Sequence, residues 1–202
     1  MAKFLKADAD AVAECARVLA SGGIIAYPTE TVYGLGVDST NRAALKKLFT
    51  AKKRDESKPA SIAVANVERA KDIAIFNRVA ETLALKFLPG PLTLVVRAIT
   101  PIPLLSLNGK VGIRIPSNDF SQRLLRQFPN PITATSANIS GFGSIAHAVD
   151  LDEKLLGSVG LVVDSDESEY AQGSTVVEVT DSGYKILREG AIGKDKLASA
   201  FE

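Results

Sequence analysis

Residues 24–36 read Ile24-Ile25-Ala26-Tyr27-Pro28-Thr29-Glu30-Thr31-Val32-Tyr33-Gly34-Leu35-Gly36. The first four form a short apolar run stopped by Pro28, the pattern of a buried strand in an α/β protein. The residues after Pro28 form a loop dense in hydroxyls and glycine, and loops after strands are where α/β folds place ligands. Gly34 and Gly36 would let a substrate approach the backbone. A Pro/Gly turn whose hydroxyls bond only the local chain is the competing reading.

Outward from this stretch the periodicity alternates. Residues 8–21 predict a helix with Val12, Cys15, Ala16 and Leu19 on one face, Asp8 or Asp10 as cap and Gly22-Gly23 as terminator. Asn41 caps a helix over 43–53 with Leu45, Leu48 and Phe49 as its stripe. Residues 61–65 come next as a strand, 67–75 and 78–87 as helices, and Leu88-Pro89-Gly90-Pro91 as a turn. Further strands are expected at 93–99, 111–115, 132–135, 161–163, 175–179 and 185–187, with a helix over 119–128. About eight strands and six helices in mixed order, with no repeat and no long linker, predict one α/β domain over 1–202 with a mixed sheet. The acids Asp164, Asp166, Glu167 and Glu169 lack calcium-loop spacing and are expected in a solvated loop.

Composition narrows the function classes. The chain has 202 residues, 24 Lys+Arg and 23 Asp+Glu, for a net charge of +1. That excludes a strongly basic nucleic-acid coat while leaving room for a local basic patch. One cysteine makes no internal disulfide, and one cysteine with one histidine cannot build a His/Cys zinc site. The first twenty residues carry several charges and no apolar signal region, and no window approaches the apolar length of a membrane helix, so the cytoplasm is the expected compartment. Cys15 is expected in the core, and His147 is expected to be incidental.

Four further stretches carry chemistry. Lys46, Lys47, Lys52, Lys53, Arg54 and Lys58 crowd one segment against only Asp55 and Glu56. Lys46 and Lys47 suit a solvated helix face. Lys52, Arg54 and Lys58 lie at the helix end, where they either complement its dipole or together hold a triphosphate. No phosphate-binding Gly-x-x-x-x-Gly-Lys loop is present, so a nucleotide would be held by side chains. Residues 133–138 and 140–144 pair hydroxyls with glycine and offer either a nest for anionic oxygens or a plain turn. Arg114, inside an apolar strand with Lys110 at its start, needs either a substrate carboxylate or a structural Asp or Glu as partner. The last stretch is Gly173-Ser174-Thr175 with Arg188.

Together these stretches resemble the YrdC/TsaC family of threonylcarbamoyl-AMP synthases over residues 11–192. The likeness rests on the Pro-Thr-Glu-Thr-Val-Tyr-Gly-Leu-Gly loop, Lys52-x-Arg54, Lys58-Pro59, the Pro-Gly-Pro at 89–91, the Val-Gly-Ile-Arg-Ile-Pro strand, Ser136-x-Asn138, and the Ser174-Thr175-Val176-Val177 and Arg188 segments. The resemblance implies a twisted mixed α/β sheet with flanking helices, YrdC/RibB-like, and a positively charged concave face. It implies that L-threonine, bicarbonate and ATP give threonylcarbamoyl-adenylate and pyrophosphate, and that other proteins then carry the group to tRNA. It implies Lys52 and Arg54 as catalytic, and Arg54, Lys58, Lys110, Ala134, Ser144 and Arg188 as ATP contacts. Thr31, Arg114, Ser136 and Ser174 are implied around the threonine, and Asn138 belongs to the signature loop without a separate role. Mg²⁺ bridging the phosphates is implied with no protein ligand named. One departure is Ala63, where some longer relatives carry a His.

Three other readings compete. A non-catalytic YciO-like paralogue would lack the Lys-x-Arg and Ser-x-Asn that stand intact here. A double-stranded RNA binder could use a basic concave face, although a net charge of +1 argues against that as the main role. Carbamoyl-transfer domains of the HypF type sit inside much longer chains.

Overall fold

The computed structural model describes residues 2–165 and 168–201. Its strands are β1 (Lys3–Lys6), β2 (Ile25–Tyr27), β3 (Gly34–Gly36), β4 (Ser61–Ala63), β5 (Ala74–Ile75), β6 (Leu92–Ala98), β7 (Ser106–Leu107), β8 (Lys110–Arg114), β9 (Ile132–Ser136), β10 (Leu161–Asp164), β11 (Thr175–Val179) and β12 (Tyr184–Arg188). Its helices are α1 (Ala9–Ala20), α2 (Arg42–Ala51), α3 (Val67–Lys71), α4 (Arg78–Phe87), α5 (Asp119–Gln127), α6 (Glu153–Leu156) and α7 (Lys194–Ala198). Helices α1 to α6 each begin on an Asp or Asn whose side chain accepts a backbone N–H of the first turn: Asp8, Asn41, Asn66, Asn77, Asn118 and Asp152. Each cap contributes about 1 kcal/mol and fixes where the chain turns helical.

The strands form one mixed sheet in the order β1-β10-β2-β3-β9-β4-β8-β6-β11-β12, with β5 on β6 and β7 on β8. The expected mixed α/β architecture is present, with more strands than expected. β1, β3 and β7 escape the reading because none is an apolar run: β1 is Lys-Phe-Leu-Lys, β3 Gly-Leu-Gly and β7 Ser-Leu. The expected helix over 67–75 ends at Lys71, and Ala74–Ile75 pair with Ala98 and Arg97 of β6 as strand. Of the expected acidic loop, Asp166 and Glu167 lie outside the described residues. Ser168 is buried instead of solvated, and Tyr170 donates its N–H to the Glu30 carbonyl at 2.9 Å.

The two faces of the sheet are treated differently. One face (Ile24, Ala26, Ile62, Leu94, Val96, Ile113, Val177) is packed by α2, α3, α4, α6 and α7 in the larger core. The other face is covered over only part of its width, where α1 and α5 pack on Ile25, Tyr27, Leu161 and Val163. Over β4, β8, β6 and β11 that face carries Ser61, Gly112, Thr93, Val95 and Glu178, and no helix covers it. Polar side chains and a glycine there give a helix nothing apolar to bury against, so the sheet is left as an open concave floor.

Gly34 and Gly36 have a packing role and are not among the residues that line the cavity described below. A Cβ on Gly34 would sit 3.2 Å from the Tyr27 ring, and one on Gly36 3.1 Å from Tyr27 and Ile25. These glycines make room for the fully buried Tyr27, whose hydroxyl donates to the Thr133 carbonyl at 3.1 Å.

Candidate active site

The uncovered part of the sheet forms the floor of a cavity of about 880 Å³. Alternation along β8 puts Lys110, Gly112 and Arg114 on this floor, and register then fixes their neighbours. Arg114 lies opposite Thr93 on β6, Thr93 opposite Val176 on β11, and Val176 opposite Arg188 on β12. One row further, Gly112 lies opposite Val95, and Val95 opposite Glu178. Gly112 keeps the floor low, since a Cβ there would fall 2.7 Å from the Ser61 hydroxyl.

Nine of the expected contact residues line this cavity: Arg54, Lys58, Lys110, Ala134, Ser144, Arg188, Arg114, Ser136 and Ser174. Thr31 lies just beneath, fully buried, where its hydroxyl accepts a hydrogen bond from Arg114 Nη2. Arg114 Nη2 also donates to Thr29 Oγ1 at 3.2 Å and lies 3.2 Å from Glu30 Oε1. The partner that this strand arginine requires is therefore the structural acid Glu30. Arg114 Nε and both Glu30 oxygens are buried without a hydrogen bond.

Thr93 and Ser174 put hydroxyls at the buried end of the cavity, and the exposed Arg188 reaches Ser174 from the mouth. Thr93 Oγ1 and Ser174 Oγ are 2.8 Å apart, and Arg188 Nη2 donates to the Ser174 carbonyl at 2.8 Å. At the mouth, Arg54 Nε donates to the Lys58 carbonyl at 2.7 Å and its Nη2 to the Pro59 carbonyl at 2.9 Å. Five cations and one carboxylate line the cavity, and that carboxylate, Glu178, is engaged by Lys110 at 2.7 Å. Arg54, Lys58 and Arg188 have no carboxylate within 4.0 Å among the described residues. The cations also press on one another. Burial and then Arg188 lower the pKa of Arg54, and burial and then Arg114 lower that of Arg188. Both guanidiniums stay charged, so the cavity holds an unneutralised positive field of the kind that polyphosphates and carboxylates satisfy.

Lys52 differs from the expectation that it joins the loop cations. It is 1% exposed, and its ammonium donates to the carbonyls of Ser136 and, at 2.6 Å, Asn138. The Lys52 carbonyl accepts the N–H of Ser140 at 2.9 Å. Burial, with a smaller contribution from Arg54, brings its pKa down to about 7. Lys52 thus fastens the Ser136–Ser140 segment from behind and is absent from the cavity wall. Asn138 clips the same loop, accepting from Ser136 Oγ and donating to the carbonyls of Phe142 and, at 3.0 Å, Ile139.

Ala63 is buried with Phe120 and Ile132 and lies opposite Arg114 in register. Cys15 is fully buried, and burial pushes its thiol up to about 12, as suits a core residue. His147 precedes a short 3-10 turn at Ala148–Asp150 and is not on the cavity wall. Among the described residues no three His, Cys, Asp or Glu side chains converge as a metal site. No helix is long and apolar enough to cross a membrane. Sequence reasoning missed Glu30, Glu178 and Thr93. Period-two alternation on β6 and β11 would have placed the last two on the floor with Arg114.

The Sua5_yciO_yrdC family profile, described as telomere recombination, matches residues 17–190. The threonylcarbamoyl-AMP synthase of Pyrococcus abyssi is 35% identical over 179 residues, which cover 87% of this chain and 53% of that protein. The threonylcarbamoyl-AMP synthase of Bacillus subtilis is 33% identical over 195 residues, 94% of this chain and 56% of that protein. A crystal structure of P. abyssi Sua5 complexed with L-threonine superposes with a TM-score of 0.90 at 30% identity, covering 99% of this chain and 60% of that one. The chain thus spans between half and two thirds of the length of these relatives.

Proposed function

Because the chain belongs to the Sua5/YciO/YrdC family, we propose that it is a threonylcarbamoyl-AMP synthase, using L-threonine, bicarbonate and ATP in the first step of threonylcarbamoyladenosine formation in tRNA. One observation carries the reading. Five cations face one cavity with a single, already engaged carboxylate, beside a buried end built from Arg114, Thr31, Thr93 and Ser174. That end suits the carboxylate and hydroxyl of an amino acid. The mouth, with Arg54, Lys58 and Arg188, suits phosphates, and Ala134 and Ser144 also line the cavity. The relatives' names and the L-threonine in the P. abyssi complex supply the substrate class.

The chemistry asks little of nucleophilic side chains. The amine of threonine takes up bicarbonate with loss of water to give a carbamate. A carbamate oxygen then bonds to the α-phosphorus of ATP while the bond from that phosphorus to the β-bridging oxygen breaks, and pyrophosphate departs with the electron pair. Two anions must be brought together, and the cations lower that cost by positioning and electrostatic stabilisation. Lys52 acts from behind, holding the Ser136 segment against the cavity. The cavity offers Mg²⁺ no protein ligand set among the described residues, so an ion entering with ATP would be held by phosphate and water, and no step is assigned to it. A lone buried cysteine suits the reducing cytoplasm, where threonylcarbamoyl-transfer proteins would take up the product.

Purified protein should release pyrophosphate from ATP only when both L-threonine and bicarbonate are present. Release that does not depend on threonine would overturn the reading. Arg54→Ala should lower turnover about 10²- to 10³-fold, the usual cost of removing one preorganised charge-stabilising donor, while circular dichroism shows an unchanged fold.

A further inference from the structure

Three buried threonines end their hydrogen bonds on main-chain carbonyls. The hydroxyl of Thr29 donates to Val32 at 2.6 Å, that of Thr133 to Leu35 at 3.1 Å, and that of Thr175 to Ile192 at 2.7 Å. Thr93 breaks the pattern. It is 2% exposed on the cavity floor, yet its hydroxyl meets no carbonyl, and its partner among the described residues is Ser174 Oγ at 2.8 Å. Ser174 Oγ has one further contact, Arg188 Nη2 at 3.3 Å, and a guanidinium donates without accepting. Two hydroxyls carry two protons. One is spent between Thr93 and Ser174, and the other finds no acceptor among the described residues. A buried donor without an acceptor costs about 1–3 kcal/mol. The pair is therefore arranged to hand one proton to an oxygen that enters the cavity, which both residues line.

The order of donation follows from the neighbours. If Thr93 donates to Ser174, both lone pairs of Ser174 are filled, one by Thr93 and one by Arg188, and Ser174 can only donate. The reverse order would leave the spare proton on Thr93, the more buried of the two. Arg114 lies opposite Thr93 in register, and its guanidinium suits the carboxylate of an amino acid. The other oxygen that threonine brings is its side-chain hydroxyl. We infer that Thr93 is a positioning residue: by donating to Ser174 it makes Ser174 Oγ a fixed donor to the side-chain oxygen of L-threonine, and so selects threonine over an amino acid of the same shape without that oxygen. The inference rests on the reaction proposed above and adds to it what reads the amino acid's side chain.

The test uses the full chain and compares L-threonine with L-valine, which keeps the shape and lacks the hydroxyl, by pyrophosphate release at saturating ATP and bicarbonate. In Thr93→Val, which preserves the buried volume, the ratio of kcat/KM for L-threonine to that for L-valine should fall about tenfold, the effect of one hydrogen bond. The loss should fall on L-threonine, with the KM for ATP where it was. Thr93→Ser keeps the hydroxyl and should restore the ratio. Ser174→Ala should lower the ratio as well, and adding Thr93→Val to it should cost little more, because the two hydroxyls act as one unit. An unchanged ratio in Thr93→Val would overturn the inference. So would equal losses on both amino acids, which mark a packing role, or independent losses that multiply in the double variant. If the intact protein shows no release that depends on L-threonine, the proposed reaction falls and the inference with it. Threonine-dependent release with an unchanged ratio leaves the reaction standing and removes the role of Thr93 alone.

Discussion

The active cavity and a second hollow, the basin between α2, the Gly22-Gly23 turn and α6 that Lys46, Lys47, Lys53 and Lys154 line, hold similar numbers of cations and treat them in opposite ways. In the cavity every arginine is fastened. Arg54 is held by two backbone carbonyls, Arg188 by the Ser174 carbonyl, and Arg114 by two threonines and Glu30. In the basin Lys46, Lys53 and Lys154 make no side-chain hydrogen bond or ion pair among the described residues, and Lys47 makes one, to the Gly22 carbonyl at 3.4 Å. Fastened guanidiniums have lost their rotamer entropy in advance and present donors at fixed points, which suits a small anion needed in one pose. Free ammoniums keep that entropy.

The contrast is most severely strained at Arg114. If the cavity cations belong to the packing, Arg114→Met should cost about 3–5 kcal/mol, because it strands the buried Glu30 carboxylate. The double variant Glu30→Met, Arg114→Met should recover most of that stability in urea unfolding and none of the turnover. Recovery absent from the double variant would show that the pair is not what holds this end together.

Lys52 gives the next effect and reports through pH. Its ordinary pKa of 10.5 falls to about 7 in the folded chain. Between those values the unfolded chain binds a proton that the folded chain releases, so stability should rise with pH across that window and level off below about 7. Relative to Lys52→Met, the intact protein should gain on the order of 1 kcal/mol per pH unit between about pH 7 and 9. Parallel pH profiles for the two proteins would remove Lys52 from the interior. The smallest effect is expected at its neighbour. Lys53→Gly should leave stability unchanged or raise it by up to about 1 kcal/mol, because glycine accepts the left-handed conformation without strain. The denaturation midpoint checks this.

Much of the fold was legible in the sequence. Helices α1, α2, α4 and α5 announce themselves through caps and apolar stripes, and the longer strands through β-branched runs. β1, β3, β5 and β7 do not: β1 and β7 set one or two apolar residues beside polar ones, β3 is Gly-Leu-Gly, and β5 continues the helical pattern of 67–75, whereas the equally short β2 and β4 sit inside longer apolar runs. The cation cluster at 46–58 was visible, but its division was not. Side-chain direction at a helix end depends on the turn beyond it, and Lys52, Lys53 and Arg54 look equivalent until the chain is folded. Glu30 stood in plain view inside the signature loop, yet its partner lies 84 residues away on β8. Gly34 and Gly36 left two readings open because space for a buried tyrosine and space for a ligand leave the same letter in the sequence.

The turn after α2 has a last consequence, for changes in length. Surface turns ordinarily absorb insertions and deletions. In this one, removing Lys53 would bring Arg54 into the position that faces the basin and take a guanidinium away from the cavity, although the composition of the cavity wall elsewhere would be untouched. The middle letter of Lys-x-Arg touches neither the interior nor the cavity, but the number of letters sets where Arg54 points. A site that exposure alone would recommend for splicing in a tag is therefore a poor one.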